Sequence, residues 1–103
     1  MPYWDLVFTD GDGQPRDSSA GAIATCGLLE LAATRPDDRA RAETLAASLI
    51  ERCAPPDDSD ALLLHGVYNL PGGDGIDEAN LWGDYFYLEA LARLTRPECV
   101  LPW

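Results

Sequence analysis

Prolines punctuate this chain more firmly than any other residue. Pro36 stands at the front of the stretch RPDDRARAETLAASLIERCAPP, and Pro55 with Pro56 closes it. A proline ring fits the first turn of a helix, but farther in it removes a hydrogen bond and clashes with the preceding turn. Anything helical between these marks must start at the first and stop at the second. The interior obliges: Ala42, Leu45, Ala46, Leu49, Ile50 and Cys53 recur every three or four residues, the period of a single helix face. Asp37 and Asp38 complement the positive end of the dipole, and Arg39 and Glu43 are spaced to pair across one turn.

Two further helices flank this one. RDSSAGAIATCGLLELAA offers Asp17 or Ser18 as an N-cap, because either side-chain oxygen can accept from the free N–H groups of a first turn. Ala20, Gly21, Ala22 and Ala24, with Ile23, Cys26, Gly27 and Leu31, make an unusually smooth surface that lets another backbone approach closely. LWGDYFYLEALARLTRP reads as the last helix, with Leu81, Tyr85, Leu88 and Leu91 or Ala92 expected toward a core. Arg93 and Arg96 suit its negative end, and Pro97 stops it. Residues 1–15 read as loop, residues 61–68 (ALLLHGVY) are an apolar run of ambiguous type, and residues 69–80 read as loop. The expected class is all-α, about three helices joined by long loops.

The bulk numbers exclude several roles. A formal net charge of −11 opposes a nucleic-acid partner. No apolar run approaches the roughly 20 residues of a membrane span, and the N-terminus lacks the pattern of a signal peptide. Cys26, Cys53 and Cys99 are far apart, no C-x-x-C pair exists, and His65 is the single histidine. Reduced thiols packed as small apolar groups in a cytoplasmic protein are therefore expected, with no zinc site and no cofactor. DGDGQPRD fails as a calcium loop, since Gln14, Pro15 and Gly21 fall where a ligand, a glycine and a glutamate are needed. Gly72–Gly75 opens no phosphate cradle, and no serine sits in a nucleophile elbow.

Asp17, Asp77 and Asp84 stand out among the acids because each lies at a helix entry, where an N-cap role is expected. Aromatics gather at Tyr3, Trp4 and Phe8 and again at Tyr68, Trp82, Tyr85, Phe86 and Tyr87. Aromatic rings beside acids and amides suit a saccharide, whose C–H face stacks on a ring. Phe86 and Tyr87 cannot both face the same side of a helix.

PYWD, PRDSSAGAIATCGLLEL, LLLHGVY and GIDEANLWGDYFYLEALARL occur in that order and make up nearly half the chain. Together they resemble the C-terminal part of the unsaturated glucuronyl hydrolases, glycoside hydrolase family 88. The resemblance implies a partial (α/α)6 barrel, with residues 1–103 forming about the last quarter of a single catalytic domain. It implies release of unsaturated glucuronic acid from lyase-generated oligosaccharides: an aspartate protonates the C4=C5 double bond, water adds at C5, and the hemiketal collapses. The catalytic aspartates of the family are expected upstream, with none in this chain. Tyr68, His65, Trp4, Trp82 and Arg16 are the implied substrate-binding residues, with Arg16 alternatively bonded to Asp17 or Asp84. The chain alone is expected to be inactive and to self-associate through exposed helix faces. Two other readings remain: a small acidic helical interaction module derived from such an enzyme, and a complete small enzyme using Asp84 and Asp77 with His65.

Overall fold

A computed structural model describes residues 1–98; Cys99 and the rest of the tail lie outside the described residues. The elements run α1 (Ser18–Leu31), α2 (Asp37–Cys53), β1 (Gly66–Asn69), β2 (Asp74–Glu78) and α3 (Leu81–Thr95). The three helices fall where the sequence places them. Asp17 caps α1, its extended backbone turning the side chain to accept from the Ser19 N–H at 3.0 Å. Pro36 occupies the cap position of α2 itself, so no side chain caps that helix; Asp37 and Asp38 follow in its first turn. Arg39 and Glu43 pair at 2.9 Å.

α1 lies against both α2 and α3, which scarcely touch each other. Its small residues explain this: Ser18, Ser19, Gly21, Ala22, Thr25 and Cys26 are the buried ones. A Cβ on Gly21 would stand 3.1 Å from Leu49 Cδ2, so the glycine sets how closely α2 packs. The Thr25 hydroxyl donates to the Gly21 carbonyl at 2.9 Å, which removes the cost of burying it. The core is Ala22, Leu49, Cys53, Leu63 and Tyr87, with Met1, Phe86 and Leu91 packed around it. Truncating a fully buried leucine such as Leu49 to alanine costs about 2–5 kcal/mol. Cys26 and Cys53 are free and buried. Burial, with Glu89 beside it, pushes the Cys26 thiol up to about 12, and burial raises Cys53 as well.

Two expectations are corrected. The first concerns α3. Its buried residues are Gly83, Tyr87, Glu89 and Ala90, whereas Leu81, Tyr85 and Leu88 are 82%, 51% and 58% exposed. Leu91 alone of the expected stripe packs at the core. Gly83 lets α1 approach closely, Tyr87, Phe86 and Leu91 turn to the core, and Leu81, Tyr85 and Leu88 turn outward. Glu89 is buried with its charge met: Arg93 Nε bonds it at 2.8 Å and Arg93 Nη1 reaches Glu30 of α1 at 2.8 Å. The second concerns residues 66–78. Gly66–Asn69 and Asp74–Glu78 form an antiparallel hairpin where an ambiguous run and a loop were expected. Glycines and short strands hide the alternation that announces a sheet.

Candidate functional site

The N-terminus of α1 organises one side of the molecule. The Asp17 Oδ1 atom that caps α1 also accepts from the Ser19 hydroxyl at 2.7 Å and from the Val67 N–H of β1 at 3.2 Å. The Ser18 N–H donates to the His65 carbonyl at 3.0 Å. One carboxylate and one backbone bond therefore fasten the hairpin to α1. On α3, the Trp82 indole N–H donates to the Ser19 hydroxyl at 3.2 Å. The N-termini of α1 and α3 meet closely: a Cβ on Gly83 would lie 3.2 Å from Ser19 Cβ.

Around this junction the candidate residues form two groups. Tyr68 and Trp82 pack in a tilted pair with ring centroids 5.5 Å apart and planes inclined by 53°. Against one side of the hairpin, an open surface cavity of about 590 Å³ is lined by Gln14, Arg16, His65, Leu70, Ile76 and Asp77, among others. Trp4 is tied to its wall, donating from the indole N–H to Gln14 Oε1 at 2.9 Å and stacking on Phe8 at 5.5 Å. The structure thus brings His65 and Arg16 together, holds Trp4 one residue behind them, and sets Tyr68 with Trp82 as a separate aromatic pair.

Arg16 is engaged inside its own loop. It pairs with Asp10 at 2.7 Å, donates to the Met1 carbonyl, and lies over the Tyr3 ring at 3.8 Å. It bonds neither Asp17 nor Asp84, the alternatives considered from the sequence. The acids divide likewise. Asp17 is an N-cap. Asp84 is not: it sits in the first turn of α3, where Asn80 is the cap, and its Oδ1 accepts from the Leu62 and Leu63 N–H groups at 3.1 and 2.9 Å. It therefore does not join a three-residue group with Asp77 and His65. Asp77 caps no helix either; its Oδ1 lies 2.6 Å from His65 Nδ1. Sequence reasoning missed Gln14 and Ser19; it grouped His65 with Asp77 only in the reading that also needs Asp84, and the structure keeps the pair without Asp84. Twelve residues separate that pair, and only the hairpin register brings them together. Among the described residues no group of three or more His, Cys, Asp or Glu side chains is arranged to hold a metal, and no helix is long and apolar enough to cross a membrane.

No family model matches the chain. It is 49% identical over 102 residues to an unsaturated chondroitin disaccharide hydrolase of Streptococcus agalactiae, covering 90% of this chain and 26% of that protein. It is 41% identical over 103 residues to an unsaturated glucuronyl hydrolase of a Bacillus species, covering 91% of this chain and 27% of that protein. Among solved structures, a mutant unsaturated glucuronyl hydrolase from Streptococcus agalactiae complexed with dGlcA-GalNAc6S superposes with a TM-score of 0.90 and 46% identity. That match covers 100% of this chain and 29% of the other. The Bacillus enzyme gives a TM-score of 0.87 at 38% identity, covering 94% of this chain and 28% of its own. The three helices correspond to part of the (α/α)6 barrel of these enzymes. In sequence and in fold the chain is a homologue of the unsaturated glucuronyl hydrolases, and it spans about a quarter of the length of the curated relatives it matches.

Proposed function

We propose that residues 1–103 form the C-terminal part of a single (α/α)6 catalytic domain of glycoside hydrolase family 88. That domain releases unsaturated glucuronic acid from lyase-generated oligosaccharides by hydration of the C4=C5 double bond, with the catalytic aspartates outside this chain. The observation that carries the reading is the superposition of the entire chain, at a TM-score of 0.90, on a relative complexed with dGlcA-GalNAc6S. A cytoplasmic location fits the two buried free thiols.

Within that reading, this chain supplies a rim of the substrate site. Tyr68 and Trp82 offer an aromatic face to a pyranose. His65 offers a ring nitrogen, and Trp4 stiffens the cavity wall. Arg16 already carries Asp10, so it holds the loop in shape, and a uronate carboxylate reaches its charge only by displacing that acid. The turn joining β1 to β2 contains no cation, and Asp74 begins β2. In the family that the chain resembles, members acting on sulfated fragments carry serines and a lysine in this turn; a sulfate group meets no such attraction here and some repulsion from Asp74, so unsulfated sugars are favoured.

The test is an exchange. This chain replaces the matched segment of the Streptococcus agalactiae hydrolase, and loss of the unsaturated chromophore is followed on sulfated and unsulfated disaccharides. Turnover, with the unsulfated sugar preferred, is expected. A folded hybrid with no turnover overturns the enzymatic reading, and a clear preference for the sulfated sugar overturns the account of the turn.

A further inference from the structure

The hairpin carries an irregularity with a chemical consequence. Gly66 pairs with Glu78 and Val67 with Ile76, so Asp77 faces no residue of β1. It is the extra residue of a bulge, a device that bends a strand and re-aims a side chain. Asp77 adopts a left-handed backbone with φ of 61°, and His65, just before β1, does the same with φ of 66°. A side chain makes that conformation costly, by roughly 1–3 kcal/mol per residue, although Asp and His bear it better than most.

The same hairpin shows what the chain does when only the backbone matters. Gly73 and Gly75, with φ of 76° and 58°, take the other left-handed positions. Glycine adopts this conformation freely. At residues 65 and 77 the chain instead keeps two side chains, and the two strained residues are the partners of one short contact, His65 Nδ1 to Asp77 Oδ1 at 2.6 Å. Both line the same cavity.

We propose that Asp77 is a positioning residue for His65, fixing its ring as the Nδ1–H tautomer and leaving Nε2 as an acceptor for a sugar hydroxyl. The role of the hydroxyl rests on the saccharide reading above; the role of Asp77 does not. The chemistry is simple. An ionised carboxylate only accepts, so the ring nitrogen beside it must carry the proton. The neutral ring then holds its lone pair on Nε2, and a carboxylate that fixes the tautomer of a histidine also fixes its orientation. Gln14 and Arg16 on the same cavity wall carry N–H donors, so a bare Nε2 supplies the acceptor that hydroxyl recognition also needs.

His65 is the chain's single histidine, so its ring signals are unambiguous. A proton–nitrogen correlation spectrum of the 103-residue chain, at a pH where the ring is neutral, reads the tautomer directly. The native chain should show Nδ1–H alone. Asp77→Gly suits the left-handed bulge and relieves the backbone, so it should keep the circular dichroism of the fold while the fixed tautomer is lost. Asp77→Asn, which retains the shape without the charge, should show a weakened preference and covers the case in which the glycine variant fails to fold. A native ring that is mixed or protonated on Nε2, or variants whose ring spectra match the native one, overturns the proposal. The spectrum requires no turnover, so this assignment and the enzymatic reading fail independently.

Discussion

Arg16 and Asp10 show how much of this molecule is decided by single contacts across a loop. The Tyr3 hydroxyl donates to Asp10 at 2.8 Å, and the Arg16 guanidinium bonds the same oxygen. The Tyr3 bond, and then the charge of Arg16, hold the Asp10 carboxyl below its usual range. The same bond to Asp10 raises the Tyr3 phenol. A depressed carboxyl stabilises the loop above its unfolded value and loses that contribution as pH falls through the folded one. A raised phenol contributes below its unfolded value and loses that as pH climbs through the folded one. The loop is thus fastened best between about pH 4 and 10. An NMR titration of the Tyr3 ring should find it above the ordinary tyrosine value, and Asp10→Ala should bring it back; an unmoved titration contradicts the triad. At this scale the sequence is partly legible. Asp17 announces itself because D-S-S opens a run of alanines. Asp10 does not, and Asp77 stands out only as a helix cap it does not become, because their partners are chosen by a turn and a bulge that no local pattern declares.

Among the elements, α2 is the plainest to read, since its proline boundaries agree with a stripe of which Ala42, Ala46, Leu49 and Cys53 are buried and Leu45 half-buried, while Ile50, at the stripe's edge, is exposed. α3 was read in its extent but not in its facing. Periodicity reports that an apolar stripe exists; it does not say which neighbour covers it. Tyr87 and Ala90 face the local core, and Leu81, Tyr85 and Leu88 are left outside. The hairpin was missed because its side-chain pattern is short and broken by glycine, and because one bulge residue shifts its register. Asp84 illustrates how such elements are joined. It anchors two consecutive N–H groups of the segment leading to the hairpin. Asp84→Ala removes a charged acceptor from both, and each such bond is worth about 1.5–3 kcal/mol. Denaturant unfolding should show a loss of about 2 kcal/mol or more, with Asp84→Asn milder; a change within a few tenths of a kcal/mol contradicts the clamp.

For the whole molecule, the strings that resemble the unsaturated glucuronyl hydrolases say more than any physical pattern. They gave the barrel, because segments such as WGDYFYLEAL are too specific to be explained by helix packing alone. What physics adds is the outward stripe of α3, matched on α1 by the exposed Ile23 and Leu31. Relatives of about four times the length hold the same three helices in the same arrangement, and in this chain that apolar surface faces solvent. Analytical ultracentrifugation of the chain should therefore show mass rising with concentration, and Leu88→Glu should return it to a monomer. A native chain that stays monomeric across the range contradicts this. The claim that matters most is that the junction of α1, the hairpin and α3 meets the sugar. Tyr68 is the cleanest probe, exposed and placed against Trp82. In the hybrid with the Streptococcus agalactiae enzyme, Tyr68→Ala should raise the KM for the unsaturated disaccharide by roughly tenfold, the loss of one stacking contact of about 1.4 kcal/mol. Its melting temperature should hold. An unchanged KM in that folded variant would place the substrate elsewhere.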